Sequence, residues 1–132
     1  MTNKVYEEIK ARTPETIHLD IKNVLQWHIG AENSISKEDI SKKIFGRYTD
    51  STDRQIRDAV AELVIFFDEH IVTNTVTGGF YYASSTDEID QNISDIQSRI
   101  DQLAARRDGL FRAKAKVFKK GTAQMKLQGS LF

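Results

Sequence analysis

Apolar residues recur at helical spacing once the chain has passed its first dozen positions. Ile17, Ile21, Val24, Leu25 and His28 fall three or four residues apart, or side by side, up to Gly30, which predicts one buried face of a first helix. Thr13 suits its N-cap, Pro14 the first helical position, where a missing amide goes unnoticed, and Gly30 a left-handed end. Ser36 with Asp39 is close to a capping box and opens a short second helix that places Ile40, Ile44 and Phe45 on one face before Gly46. After the polar connection 47–51, Thr52 and Gln55 form another such pair. They predict a third helix with Ile56, Val60, Leu63, Val64 and Phe67 on its inner face.

The period then changes from helical to alternating. Ile71 to Val76 is β-branched, Thr77, Gly78 and Gly79 read as a turn, and Phe80 to Ala83 reads as a returning strand, so a β-hairpin is predicted. Ile71, Phe80 and Tyr82 must pack on the helices, because a lone hairpin is marginal in water. Helix, short helix, helix and hairpin in this order is the layout of a winged helix. Ser85 and Glu88 form a further capping box. Behind it, Ile89, Ile93, Ile96, Ile100 and Leu103 step by four and three along a heptad seam. The seam decays through Arg107, Leu110, Lys114 and Val117, and Gly109 weakens the helix by about 1 kcal/mol. Such a seam needs a partner, either the flank of its own domain or the same helix of a second chain. The second option, a homodimer, is favoured. The expected fold is thus α+β, mostly α: an N-terminal arm over 1–12 with Val5, Tyr6 and Ile9 as anchors, a winged helix over 13–84, a long C-terminal helix over 85–119 and a flexible tail over 120–132.

Composition narrows the setting. The chain has 132 residues, 39% hydrophobic and 29% charged, with no cysteine; this fits one small packed domain with an appendage, held by packing alone. There is no apolar run of about 18 to 20 residues and no hydrophobic leader, so a cytoplasmic location is expected, that of the host if the chain is phage-encoded. The formal net charge of zero hides a division: Ala31–Ala83 has six basic and nine acidic residues, whereas Ser84–Phe132 has nine basic and six acidic. All nine of those cations lie from Arg99 onward. A basic terminal third is a handle for nucleic acid or for an acidic protein surface, and equally the pattern of a solvated helix and tail.

Ser36 to Gly46, the capped helix through Phe67, Ile71-Val72-Thr73, Gly78-Gly79-Phe80-Tyr81-Tyr82 and the Asp87-Glu88-Ile89 helix resemble small helix-turn-helix proteins of bacteriophage and prophage genomes, over about residues 34 to 118. The resemblance implies a winged helix with a long C-terminal helix and a place among phage replication or recombination functions. Some members of that group end in a peptide like the ligand of the bacterial sliding clamp. Here Gln128, Ser130, Leu131 and Phe132 match four positions of that pentapeptide, and Gly129 departs at the second. A Leu-Phe pair can insert into a preformed apolar pocket while Gln128 fixes register. Micromolar affinity, around −8 kcal/mol, is expected for so short a ligand.

If the domain binds duplex DNA, the first turns of the third helix would face the major groove. Arg54 or Arg57 can pair bidentately with guanine, Gln55 with adenine, and Ser51 or Thr52 can reach phosphate. Lys42, Lys43 and Arg47 would add backbone contacts, and Asn74, Thr75 and Thr77 of the wing would offer uncharged donors. Asp50, Asp53 and Asp58 beside these groups oppose a phosphate surface. The competing expectations are a dimeric adaptor or inhibitor acting through protein contacts alone, and a transcriptional regulator. No enzyme is expected, and no cofactor: His18, His28 and His70 share no ligand spacing, and Gly78-Gly79 lies in a hairpin where a phosphate cradle would need a strand-to-helix loop. His28, Trp27, Tyr81 and Tyr82 read as packing residues.

Overall fold

A computed structural model of the chain describes residues 14–118. The arm over 1–12, the Thr13 cap, the tail over 120–132 and the peptide carrying Gln128, Ser130, Leu131 and Phe132 lie outside the described residues. The described residues form a mostly helical α+β chain: α1 (Pro14–Leu25), a 3₁₀ turn (Ala31–Asn33), α2 (Lys37–Phe45), α3 (Asp50–Phe67), β1 (Ile71–Thr73), β2 (Phe80–Tyr82) and α4 (Thr86–Val117). The chain divides between Asn92 and Ile93 into two compact units.

In the first unit, α1, α2 and α3 pack around Ile17, Ile21, Leu25, Ile40, Ile44, Ile56, Ala59, Val60 and Leu63, all buried. Fully burying aliphatic side chains of this size contributes roughly 1.5 to 3 kcal/mol each. The hairpin closes this core. β1 and β2 pair antiparallel, with Ile71 opposite Tyr82 and Thr73 opposite Phe80, and alternation sends Ile71, Phe80 and Tyr82 into the core while Val72 and Tyr81 face the other way. That second face is covered as well, by Ala83, Ala31 and Ile89. The loop after α1 lies along β2 and forms a bridge on each side: Ile35 and Phe80 exchange both backbone hydrogen bonds at 3.0 and 2.9 Å, and the Tyr82 amide donates to the His28 carbonyl at 2.9 Å. The Tyr82 hydroxyl donates to Glu69 at 2.6 Å; burial first, then that carboxylate, pushes the phenol far above its ordinary value.

Several boundaries differ from the sequence expectation. α3 starts at Asp50, capped by Thr49, because Thr49 and Thr52 form the reciprocal capping box; Thr52 is its third helical residue and no cap. Asp68 ends the helix in the left-handed conformation. Val64 and Phe67, expected on the inner face, are 39% and 60% exposed. Phe67 and the His18 ring stand edge to face, at a centroid distance of 5.8 Å. β1 stops at Thr73, since Asn74 opens the turn, and Trp27, expected to pack, is 78% exposed.

The division of the chain also falls later than position 84. The Glu88 amide donates to the Ser85 hydroxyl, as expected, but the Glu88 carboxylate leaves the box and accepts the Ser84 amide at 2.7 Å and the Ala31 amide at 2.9 Å. The first two turns of α4 are thereby tied to the hairpin unit. These amides hold the Glu88 carboxyl below its ordinary value. A carboxyl with a depressed folded pKa contributes stability that is complete above its unfolded pKa and disappears as pH falls through the folded one. Glu88→Gln should therefore lower the melting temperature at neutral pH and flatten its fall on the acid side of the glutamate range, so that variant and parent converge at low pH. An unchanged acid limb would show that Glu88 does not hold the joint.

Candidate nucleic-acid interface

The connection between α2 and α3 is built around two buried hydroxyls. α2 begins at the Ser36 cap, which accepts the Asp39 amide at 3.0 Å, and ends at Gly46 in the left-handed region at φ 76°. On its inner face Ser41 is fully buried. Its hydroxyl donates to the Arg47 carbonyl and lies 2.7 Å from the Thr52 hydroxyl. Thr52 Oγ1 in turn accepts the Thr49 amide at 2.9 Å and stands 3.1 Å from the Thr49 carbonyl. One side chain from each helix thus holds the backbone of residues 47–49 and fixes how the N-terminal turn of α3 emerges. Buried polar groups are tolerated because each finds a partner here.

That network removes Thr52 from the expected contact set. At 1% exposure its hydroxyl cannot reach a phosphate, and it is consumed by the connection. Lys43, Arg47, Ser51 and Arg54 are exposed, and none of the three cations among them has a carboxylate partner among the described residues. Lys42 is paired with Glu38 at 2.8 Å, and that hydrogen bond keeps its ammonium charged above the ordinary lysine value. Arg57 donates to Asp53 at 2.8 Å. Gln55, half-buried, donates to the Ser51 hydroxyl at 3.2 Å.

Asp53, read from sequence as an opposing charge, proves to be an organiser. The Tyr48 hydroxyl donates to one of its oxygens at 2.9 Å and Arg57 to the other. Partial burial pushes the Asp53 carboxyl up, yet the bonds from Tyr48 and Arg57, with the charges of Lys37 and Arg57, outweigh it and hold the group below its usual range. Exposed ion pairs of this kind are worth under about 1 kcal/mol, so Arg57 is held in place without being locked. Tyr48 was missed in the sequence, where it stands in a polar stretch. The signal available there was an aromatic residue five positions before an aspartate, across the start of a helix.

At the wing, Asn74 is taken by the turn itself. Its Oδ1 accepts the Val76 and Thr77 amides at 2.9 and 3.1 Å, and its Nδ2 donates to Ala31 and Ser34. This is an Asx turn, and it leaves Asn74 no donor for a ligand. Thr75 and Thr77 remain exposed, while the tip is Val76, 93% exposed. Beside α2, an open depression of about 480 Å³ is lined by His28, Ser34, Ser36, Asp39, Lys42 and Lys43. His28 holds the Asn33 carbonyl at 2.8 Å and is half-buried, in keeping with an edge residue. Among the described residues no three His, Asp or Glu side chains gather as a metal site, and no helix is long and apolar enough to cross a membrane.

In the second unit the expected seam residues stand in the open: Ile93, Ile96, Ile100 and Leu103 are 45 to 60% exposed. Ile89, read as the first position of that seam, belongs instead to the small cluster behind the hairpin. Comparisons with protein-family models, with curated proteins and with solved structures found no match to this chain.

Proposed function

We propose that the first unit is a winged helix that binds duplex DNA through α3, in an accessory protein of phage-type replication or recombination whose C-terminal peptide docks on the host sliding clamp. The observation that carries the reading is the α2–α3 connection: two helices cross-braced by Ser41 and Thr52, with the cations Lys43, Arg47 and Arg54, which have no carboxylate partner among the described residues, on the second helix, the connection and the start of the third. The element order supports it, as does the packing of the hairpin on the three helices through Ile71, Phe80 and Tyr82. Arg54 is the free base-reading candidate. Arg57, aimed by Asp53, can exchange its carboxylate for a guanine edge, since both are bidentate acceptors. Lys42, Lys43, Arg47 and Ser51 would meet phosphate, with Thr75 and Thr77 at the wing. The cations of α4 add the general attraction that the acidic residues of the first unit withhold. The clamp contact rests on Gln128, Ser130, Leu131 and Phe132 and on the sequence resemblance alone.

The test is fluorescence anisotropy of short labelled duplexes at a series of salt concentrations. The full chain should bind with a log–log salt slope that is clearly negative, and replacing Lys43, Arg47 and Arg54 together by alanine should weaken binding by about tenfold or more and flatten that slope by about 2 to 3. No binding at low salt would refute the DNA reading. The clamp contact is tested separately, by binding of purified clamp to the chain with and without Leu131 and Phe132; equal affinity would end that part.

A further inference from the structure

α4 has no buried residue, although it has a regular apolar row. Beyond Asn92 that row is Ile93, Ile96, Ile100, Leu103 and Leu110, each 45 to 68% exposed. In heptad terms Ile93 and Ile100 hold a, and Ile96, Leu103 and Leu110 hold d. We propose that a second copy of this chain covers the face, running parallel to the first, as a two-stranded coiled coil over about residues 93–110. The inference does not rest on DNA binding.

Three features of the helix select that occupant and direction. β-Branched residues at a with leucine at d in the central and last layers favour two parallel strands. The flanking charges agree. In a parallel pair each g residue faces an e residue of the partner, so Arg99 meets Ala104 and Arg106 meets the ring of Phe111, itself 61% exposed; the latter is a cation–π contact. An antiparallel pair would set g against g and oppose Arg99 with Arg106 twice. The one cation inside the seam, Arg107 at a, already holds the neighbouring Asp108 carboxylate at 2.9 Å. Two copies therefore meet there as ion pairs, and a single polar a layer is a known way of fixing register.

The experiment uses the full chain. Sedimentation equilibrium should give twice the chain mass with a concentration-dependent approach to it, and Ile96→Lys with Ile100→Lys should return the chain mass at every concentration. Both residues are exposed in the single chain, so the variant should keep the parent circular dichroism. The sequence contains no cysteine, which makes direction readable: Arg107→Cys should oxidise to a disulfide-linked pair, while Ser98→Cys, on the outer face, should not. A parent that stays at the chain mass overturns the proposal. So does a dimer that survives the double lysine variant, which would place the contact elsewhere. A dimer in which Arg107→Cys fails to link overturns the parallel direction.

Discussion

Gly79→Ala is expected to detach the hairpin from the loop that follows α1 and to lower stability by about 3 kcal/mol, at the upper end for inserting one carbon into a packed site. A Cβ at this glycine would stand 2.5 Å from the carbonyl oxygen of Ile35 and 2.9 Å from its carbon, both backbone atoms that cannot rotate away. The space is absent because Ile35 and Phe80 exchange backbone hydrogen bonds next to it. To admit the methyl group the loop at Ile35 must separate from β2, which costs those two bonds and shifts Phe80, a core residue. For a unit of this size, 1 kcal/mol moves the melting temperature by about 4 to 8 °C, so a fall above about 12 °C is expected in thermal circular dichroism. Gly46→Ala is the comparison. Nothing lies within 4 Å of its added Cβ, but its φ of 76° is left-handed, so only the conformational cost of about 1 to 2 kcal/mol should appear. Equal effects at the two sites would mean that the close approach at Gly79 does not exist in solution.

The two glycines also show how far the sequence could be read. Gly46 announces itself, because a glycine behind a short capped helix is a common left-handed stop. Gly79 was legible as part of a hairpin turn, but its partner Ile35 is 44 positions earlier, and no local pattern carries that contact. The same division runs through the rest. The helices and the inward set Ile17, Ile21, Ile40, Ile44, Ile56, Val60 and Leu63 follow from periodicity, since burial against neighbours imposes it. Periodicity does not say how fully the neighbours cover a face, so Val64 and Phe67 continued the pattern into positions that stay 39% and 60% exposed. The start of α3 was misplaced for a specific reason: Thr52-x-x-Gln55 reads as the cap, but Ser41, from another helix, draws Thr52 inside and Thr49 caps the helix instead. In the candidate interface, the exposed cations Lys43, Arg47 and Arg54 were legible as types. The roles of Asn74 and Asp53 were not, because each depends on which backbone or side-chain donors the fold brings to its oxygens.

Thr52→Val should then link the buried connection to the proposed surface. The substitution keeps shape and removes one oxygen, so any loss belongs to the hydroxyl, and valine for threonine is not conservative at such a place. The Thr49 amide, which Thr52 Oγ1 accepts at 2.9 Å, loses its partner, and Ser41 keeps only the Arg47 carbonyl. Losing a part-buried hydrogen bond of this kind costs about 0.5 to 1.5 kcal/mol, and half the capping box of α3 goes with it, so a total of about 1 to 2 kcal/mol is expected. Ser51→Ala, one residue away but exposed, should stay within about 0.5 kcal/mol of the parent. The functional consequence follows from the geometry. Residues 47–49 keep the Ser41 anchor at Arg47 but lose the Thr52 anchor at Thr49, one of the two that set the angle of the first turn of α3, and Arg54 lies one turn further on. At a temperature where the variant is still folded, its affinity for duplex DNA should drop several-fold with the salt slope unchanged, because no cation has been removed. That pairing of weaker binding with an intact slope separates a misaimed helix from a lost phosphate contact. A variant that melts like the parent, or one that binds DNA as tightly while melting lower, would show that the hydroxyl pair does not aim α3.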